Sequence, residues 1–214
     1  MRLISLDGTC LDVADTPANE QEFGRPRTGR GQGVGAFPQL RLVALSETGT
    51  HAICAAALGP LSSSENELAA ELLGELQPGM LCLADRGFYS FQRFQTARKT
   101  GAQLFWRVKA NIVLPREQQL PDGSYLTRVY PNQTDQRAQR HGQQVRVVEY
   151  QIDDGRPSDV EQSYRLLSTI LEPEQAPAGE LGVLYHERWE LENTLDELKV
   201  HQRGPRVVLR SKQP

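Results

Sequence analysis

The chain alternates short apolar segments with segments of helical periodicity. Arg2–Leu6 and Met80–Ala84 are apolar runs of strand length, and residues 39–58 hold two alternating runs around a turn, which is typical of a hairpin. Leucines at helical spacing follow Ser64, and the strongest helical pattern runs over Gly179–Val200. This order of elements predicts an α/β fold, with a mixed sheet and flanking helices.

Two segments depart from this alternation. Residues 15–38 are polar and rich in glycine and proline, and we expect a long loop there. Residues 111–164 carry short β-type runs between turn-rich stretches, which predicts a β-rich insertion. The predicted organisation is therefore a first part of the core over residues 1–110, the insertion over 111–164, and a final strand and helix over 165–214.

Composition excludes several classes of protein. The apolar runs are far shorter than the ~20 residues that span a bilayer, so we expect no membrane protein. No basic segment followed by an apolar one begins the chain, which argues against a secretory signal. Cys10, Cys54 and Cys82 are widely spaced, so neither a disulfide framework nor a zinc knuckle is expected. A cytoplasmic location fits best.

Charge is unevenly distributed along the chain, although the net charge is only −3. From Asp85 to Glu117 basic residues exceed acidic ones by five, and from Glu149 to Glu180 acidic residues exceed basic ones by six. Such segregation is compatible with a surface that binds a polyanion on one side. An ordinary fluctuation of charge is the alternative.

Two aspartates follow apolar segments of strand length. Asp7 comes after Leu6, and Asp85 comes after Ala84. A carboxylate at the end of a strand is held by the sheet yet points out of the core, which is a common arrangement for holding Mg²⁺. Aspartate also ends strands simply as a turn former, so either residue alone is a weak signal.

The helical pattern near the C-terminus aligns four polar residues. At 100° per residue, Tyr185, Arg188, Glu192 and Lys199 share an arc of about 60°. An apolar stripe runs beside this arc and consists of Leu184, Leu191, Leu195 and Leu198. The pattern predicts a helix that buries its leucines and carries a polar row along the edge of the core. The alternative is a solvated face with ion pairs between successive turns.

The combination of these blocks resembles a known family. The spacing Tyr185-x₂-Arg188-x₃-Glu192-x₆-Lys199 matches the Tyr-Arg-Glu-Lys signature of bacterial insertion-sequence transposases of the insertion element 4 family. The blocks Leu6-Asp7-Gly8-Thr9, Leu83-Ala84-Asp85-Arg86-Gly87-Phe88-Tyr89 and Phe105-Trp106-Arg107-Val108-Lys109 are similar to further conserved blocks of that family. The resemblance spans almost the whole chain.

The resemblance implies a fold and a reaction. The family has a ribonuclease H-like core with a β-rich insertion between its second aspartate and its glutamate. By this resemblance Asp7, Asp85 and Glu192 form the catalytic triad that holds two Mg²⁺ ions, for which Mn²⁺ substitutes. Water and then the freed 3′-hydroxyl attack a phosphodiester, and this sequence of steps gives metal-dependent strand cleavage and transfer at the ends of an insertion sequence.

The resemblance also implies partners. Tyr185, Arg188 and Lys199 become phosphate contacts on the DNA end, and the partner is double-stranded DNA bound by a homodimer in a synaptic complex. We expect a bacterial cytoplasmic protein that joins the nucleoid when it binds DNA.

Three functional hypotheses remain open at this point. Transposases of the family are about twice as long, so we expect this chain to lack flanking DNA-binding and C-terminal segments. The chain is then a transposase catalytic core, or an inactive remnant that only binds DNA or an intact transposase. A ribonuclease H-like nuclease of another kind is the third hypothesis, which the Tyr-Arg-Glu-Lys row disfavours.

Overall fold

The computed structural model describes residues 1–27, 35–151, 163–186 and 211–214, together with Arg188, Leu195 and Leu209. The chain divides into two compact units. The hairpin unit consists of Ser5–Leu72 and Trp189–Pro214, and the sheet unit consists of Met1–Ile4 and Leu73–Arg188. Strand β1 (Arg2–Asp12) begins in the sheet unit and continues in the hairpin unit.

Among its described residues, the first part of the hairpin unit contains three strands and two helices. Its strands lie in the order β3-β2-β1. The elements that follow β1 are α1 (Pro17–Phe23), β2 (Gln39–Glu47), β3 (Ile53–Pro60) and α2 (Glu65–Leu72). The predicted hairpin is confirmed, because β2 and β3 pair antiparallel with a bulge at Leu45/Ser46.

Strand β1 is longer than its first apolar run. It continues through Asp12, so the expectation that Asp7 ends the strand is wrong. The physical reason is that the alternation resumes after Asp7, since Leu11 and Val13 are buried in an apolar cluster with Leu42. Asp7 therefore lies in the middle of a strand, and its side chain is half-buried.

The expected loop over residues 15–38 begins with a helix, α1, so that expectation is wrong for Pro17–Phe23. Thr16 caps this helix, because its hydroxyl oxygen accepts a hydrogen bond from the Asn19 backbone N–H at 3.3 Å. Proline suits the first turn, where its missing N–H has no partner to lose. The Thr16-Pro17 pair was the signal in the sequence.

Helix α2 begins with a capping box, in which Ser64 and Glu67 bond reciprocally. The Ser64 N–H donates to Glu67 Oε2 at 2.8 Å, and the Glu67 N–H donates to Ser64 Oγ at 3.2 Å. These two bonds satisfy backbone groups that have no partner within the helix itself. Hydrogen bonding by Ser64 also holds the pKa of Glu67 below its ordinary value.

The sheet unit contains a mixed sheet in the order β4-β5-β9-β8-β7-β6. Its strands are β4 (Met80–Ala84), β5 (Gln103–Arg107), β6 (Gln118–Gln119), β7 (Tyr125–Val129), β8 (Gln143–Gln151) and β9 (Ser163–Ser168). Strands β4 and β5 are parallel. The other neighbouring pairs, β5–β9, β9–β8, β8–β7 and β7–β6, are antiparallel. The β-type runs of residues 111–164 thus extend the sheet beyond β9.

The described residues of this unit also form the helices α3 (Phe91–Lys99), α4 (Gln133–Arg137) and α5 (Ala178–His186). Ser90 caps α3, because its Oγ accepts a hydrogen bond from the Arg93 N–H at 3.3 Å. The Trp106 side chain is fully buried and meets Phe94 edge-on, so it belongs to the core. The mixed α/β class is therefore confirmed.

The predicted C-terminal helix is confirmed only in part. Helix α5 ends at His186, and Arg188 lies in a turn whose N–H donates to the Tyr185 carbonyl at 3.2 Å. Helical backbone is present at Leu195, which is buried with Leu11 and Leu40 in the hairpin unit. Its predicted membership of the apolar stripe is thus confirmed.

Candidate active site

Asp85 immediately follows strand β4, as predicted. All five residues of β4 are buried, and the chain then turns, with the Phe88 N–H donating to the Asp85 carbonyl at 3.0 Å. The Asp85 side chain is 30% exposed. The strand thus holds the backbone rigidly while the carboxylate reaches the surface, which is the arrangement that a catalytic or metal-binding carboxylate needs.

Arg107 lies beside Asp85 because of strand register. In the parallel pair β4–β5, Ala84 is opposite Trp106, so the next residue on each strand is Asp85 and Arg107. Arg107 Nη1 lies 3.5 Å from Asp85 Oδ1, and the Arg107 side chain is only 19% exposed. The guanidinium provides a positive charge at the edge of the site.

Tyr185 reaches the same carboxylate from helix α5. Its hydroxyl donates toward Asp85 Oδ1 at 3.3 Å and lies 3.4 Å from the Ala84 carbonyl oxygen. Its ring packs edge-on against Phe105 at 6.0 Å and Tyr164 at 6.4 Å. The residue is 1% exposed, and burial raises the pKa of its hydroxyl far above the ordinary value, so this group remains a proton donor.

An aromatic cluster of Tyr150, Tyr164 and His186 packs beside Arg107 and Tyr185. The Arg107 guanidinium lies 4.0 Å from the centre of the Tyr164 ring. The Tyr150 ring stacks on the Tyr164 ring, with 5.2 Å between the ring centres and an interplanar angle of 7°. His186 is tilted against both tyrosines at 5.7 and 6.1 Å. Burial raises the pKa of Tyr150 above its ordinary range, so its hydroxyl keeps its proton.

Arg188 lies near Tyr185, as the helical spacing predicts, but it is not on the surface. Its Cζ lies 5.7 Å from the centre of the Tyr185 ring, and the residue is 6% exposed. The sequence predicts a polar row along the edge of the core, whereas Tyr185 and Arg188 are both buried. The reason is that α5 packs its tyrosine face, and not only its leucines, against the aromatic cluster.

A buried ion pair attaches the start of α5 to the sheet. Arg146 is fully buried and pairs with Asp122, and it donates to Ser124 Oγ and to the Ala176 carbonyl, both at 2.7 Å. Asp122 also accepts the Ala178 N–H at 2.8 Å. Burial raises the pKa of Asp122, but the hydrogen bonds from Ser124 and Ala178 and the charge of Arg146 outweigh burial, so the pKa lies below its ordinary value.

The other predicted site residues belong to the hairpin unit or lie outside the described residues. Asp7 belongs to the hairpin unit, where its Oδ1 accepts the Gly8 N–H at 2.8 Å. Glu192 and Lys199 lie outside the described residues. Within the described ranges, no group of three or more histidines, cysteines or acidic residues is placed to hold a metal ion.

Sequence reasoning assigned no role to Arg107, Tyr150 or Tyr164. Arg107 was visible as the residue 22 positions after Asp85, but only the strand pairing brings the two together. Tyr150 and Tyr164 are opposite each other on β8 and β9, a register that no local pattern reveals.

The helices of the described ranges include none that is both long and apolar enough to cross a membrane.

Comparisons with known proteins agree with these motifs. Residues 1–213 match the family model of the transposase DDE domain. The transposase InsG for insertion sequence element IS4 of Escherichia coli (strain K12) is 29% identical over 218 residues, which cover all of this chain and 48% of InsG. The chain thus spans about half the length of this relative. The resemblance predicted from the motif blocks is confirmed.

A solved structure shares the fold. The chain matches a cryo-EM structure of the piggyBac transposase synaptic complex with hairpin DNA, with a TM-score of 0.55 and 12% identity. The match covers all of this chain and 42% of that one. At this level of identity, the similarity concerns the fold alone.

Proposed function

Because this chain belongs to the transposase DDE domain family, we propose that it is the catalytic core of a DNA transposase, which cleaves and transfers DNA strands at insertion-sequence ends. The observation that carries the proposal is the carboxylate of Asp85, held at the end of β4 by Tyr185 and Arg107. A carboxylate fixed in this way by two donors is characteristic of a site that must orient one oxygen. We further propose the ribonuclease H-like form of the α/β fold and the division at residues 110 and 164.

The proposed metal ligands are Asp7, Asp85 and Glu192. The Asp85 carboxylate fits a hard cation, because it is partly exposed and, among the described residues, its Oδ2 accepts no hydrogen bond. Asp7 offers a second half-buried carboxylate. Two bound Mg²⁺ ions would stabilise the charge that develops on the entering and leaving oxygens of the phosphodiester.

The protein's own residues then have distinct roles. Tyr185 and Arg107 orient the Asp85 carboxylate, because each donates to its Oδ1. Lys199 is proposed to contact phosphates of the DNA end, whereas Arg188, which is 6% exposed, is proposed to help neutralise them through its charge. The basic excess between Asp85 and Glu117 supports a polyanionic partner, which we propose is double-stranded DNA bound by a homodimer in the bacterial cytoplasm.

Nicking of supercoiled plasmid DNA by the purified 214-residue chain, in Mg²⁺ or Mn²⁺, tests the proposal. We expect metal-dependent nicking that is lost in Asp85→Asn and Glu192→Gln, since both changes remove a charged ligand at almost constant volume. Glu180→Gln is the matched control, because Glu180 is an exposed carboxylate on α5 that lies away from Asp85. It should cleave as the wild type does.

Failure of the folded wild-type chain to nick DNA with either ion would contradict the enzymatic proposal. Retained DNA binding in that case would favour the alternative of a remnant that only binds DNA or an intact transposase. Circular dichroism establishes folding in each variant.

A further inference from the structure

We propose that Tyr185 is a positioning residue, which orients the Asp85 carboxylate through its hydroxyl and does not itself contact DNA. This inference rests on the proposed function of Asp85 as a metal ligand. It replaces the role that the family resemblance suggests for Tyr185, namely a contact to a DNA phosphate.

Burial is the first observation against a DNA contact. Tyr185 is 1% exposed, and its ring is enclosed by Phe105 on β5 and Tyr164 on β9. A phosphate oxygen must approach within hydrogen-bond distance of a hydroxyl to accept from it. At this degree of burial, the hydroxyl is accessible only to the groups that already surround it.

The second observation is that the hydroxyl already has acceptors. It lies 3.3 Å from Asp85 Oδ1 and 3.4 Å from the Ala84 carbonyl oxygen, both at the end of β4. A hydroxyl has one proton to donate, and the carboxylate is the stronger acceptor because it is charged. The bond therefore fixes the rotation of the Asp85 side chain relative to its own strand.

The third observation is that the two oxygens of the Asp85 carboxylate have different surroundings. Tyr185 and Arg107 both approach Oδ1, so Oδ2 accepts no hydrogen bond among the described residues. Arg107 is itself held over the Tyr164 ring at 4.0 Å. Packing thus orders both donors before any ligand binds. The Asp85 carboxylate is therefore already oriented, and ligand binding costs no conformational entropy for ordering Tyr185 or Arg107.

The variant Tyr185→Phe tests the inference, because it removes the hydroxyl and keeps the ring that packs on Phe105 and Tyr164. Mn²⁺ binding to the 214-residue chain is measured by the electron paramagnetic resonance signal of free Mn²⁺. We expect the Kd for Mn²⁺ to rise about tenfold, the effect typical of losing a hydrogen bond to a metal ligand. The affinity for a fluorescent duplex oligonucleotide, measured in Ca²⁺, should stay within about twofold.

Tyr89→Phe is the matched control. Tyr89 is also a tyrosine of the sheet unit, and burial raises its pKa to about 12, but it packs on Phe94 and not on Asp85. It should leave both affinities unchanged. In an Asp85→Asn background, Tyr185→Phe should add nothing to the loss of Mn²⁺ binding, because the hydroxyl acts through that carboxylate.

A tenfold loss of DNA affinity in Tyr185→Phe with unchanged Mn²⁺ binding would overturn the inference in favour of a phosphate contact. Unchanged values of both affinities would overturn it as well, and so would the absence of Mn²⁺ binding that depends on Asp85 in the wild type. The two proposals can also fail separately. If Tyr185→Phe binds Mn²⁺ more weakly but the wild-type chain does not nick DNA, the positioning role is supported and the proposed activity is contradicted.

Discussion

At the scale of single residues, Arg107 and Arg116 show how burial changes the value of the same interaction. Each arginine lies over a tyrosine ring and near a carboxylate, namely Asp85 for Arg107 and Glu149 for Arg116. The Arg107 side chain is 19% exposed, whereas that of Arg116 is 62% exposed. Solvent screens the exposed pair, so its contribution to stability is small.

We predict that Arg107→Gln lowers the free energy of unfolding by about 1–2 kcal/mol, since a desolvated cation–π contact and a partly buried ion pair are both lost. Arg116→Gln is the control and should cost less than about 0.5 kcal/mol. Urea unfolding at neutral pH measures both values. Equal losses in the two variants would contradict the assignment of Arg107 to a buried cluster.

At the scale of elements, helix α5 depends on a tertiary contact for its N-terminus. The Ala178 N–H, in the first turn, donates to Asp122, which lies in the turn before β7. The same carboxylate pairs with the buried Arg146. The turn before β7 therefore fixes where α5 begins, and α5 in turn carries Tyr185 to Asp85.

We predict that Asp122→Asn destabilises the protein by about 3 kcal/mol, because it removes the carboxylate that pairs with the buried Arg146. The pKa of Asp122 is lower in the folded protein than its ordinary value of 3.8, so its contribution is present above that value and is lost as the pH falls through the folded pKa. The difference in stability between wild type and variant should therefore shrink below about pH 4.

Urea unfolding of both proteins at neutral pH and at acidic pH measures this effect. Asp135→Asn is the control, because the Asp135 carboxylate contacts only exposed partners among the described residues, namely Asn132 Nδ2 at 2.7 Å and His141 Nδ1 at 3.2 Å. A difference that does not change with pH would show that the charge of Asp122 contributes nothing.

Local sequence patterns predict some features of the helices and strands but not others. The end of β4 was predicted, because it depends only on the apolar run Met80–Ala84 and the residue that follows it. The caps at Ser64 and Ser90 are local in the same sense, since each joins residues three positions apart. The length of β1 was not predicted, since Asp7 and Gly8 resemble a turn until the pairing with β2 is known. Pairing energy outweighs local turn preference there.

At the scale of the whole molecule, a net charge of −3 coexists with a basic segment from Asp85 to Glu117. Binding of DNA depends on the local arrangement of cations and not on the net charge, because each neutralised phosphate releases counterions. Lys199 is the proposed DNA contact, and the exposed Lys212 carries the same charge. Comparing a variant of each lysine therefore distinguishes a specific DNA contact from a general effect of charge.

We predict that the affinity for duplex DNA falls linearly with salt concentration on logarithmic axes, and that Lys199→Gln lowers the slope by about one. Lys212→Gln should leave the slope unchanged. Fluorescence anisotropy in Ca²⁺ at several salt concentrations gives the slopes. Equal changes in the two variants would mean that Lys199 acts only through overall charge.

The sequence by itself determined the family, the mixed α/β class and the position of Asp85 after β4, because motif spacing and periodicity are properties of the chain alone. Tertiary structure alone decided the surroundings of that carboxylate. Arg107 meets Asp85 through the parallel register of β4 and β5, and Tyr185 meets it because α5 packs on Phe105. Residues 22 and 100 positions from Asp85 become neighbours only through strand pairing and burial, which no local pattern encodes.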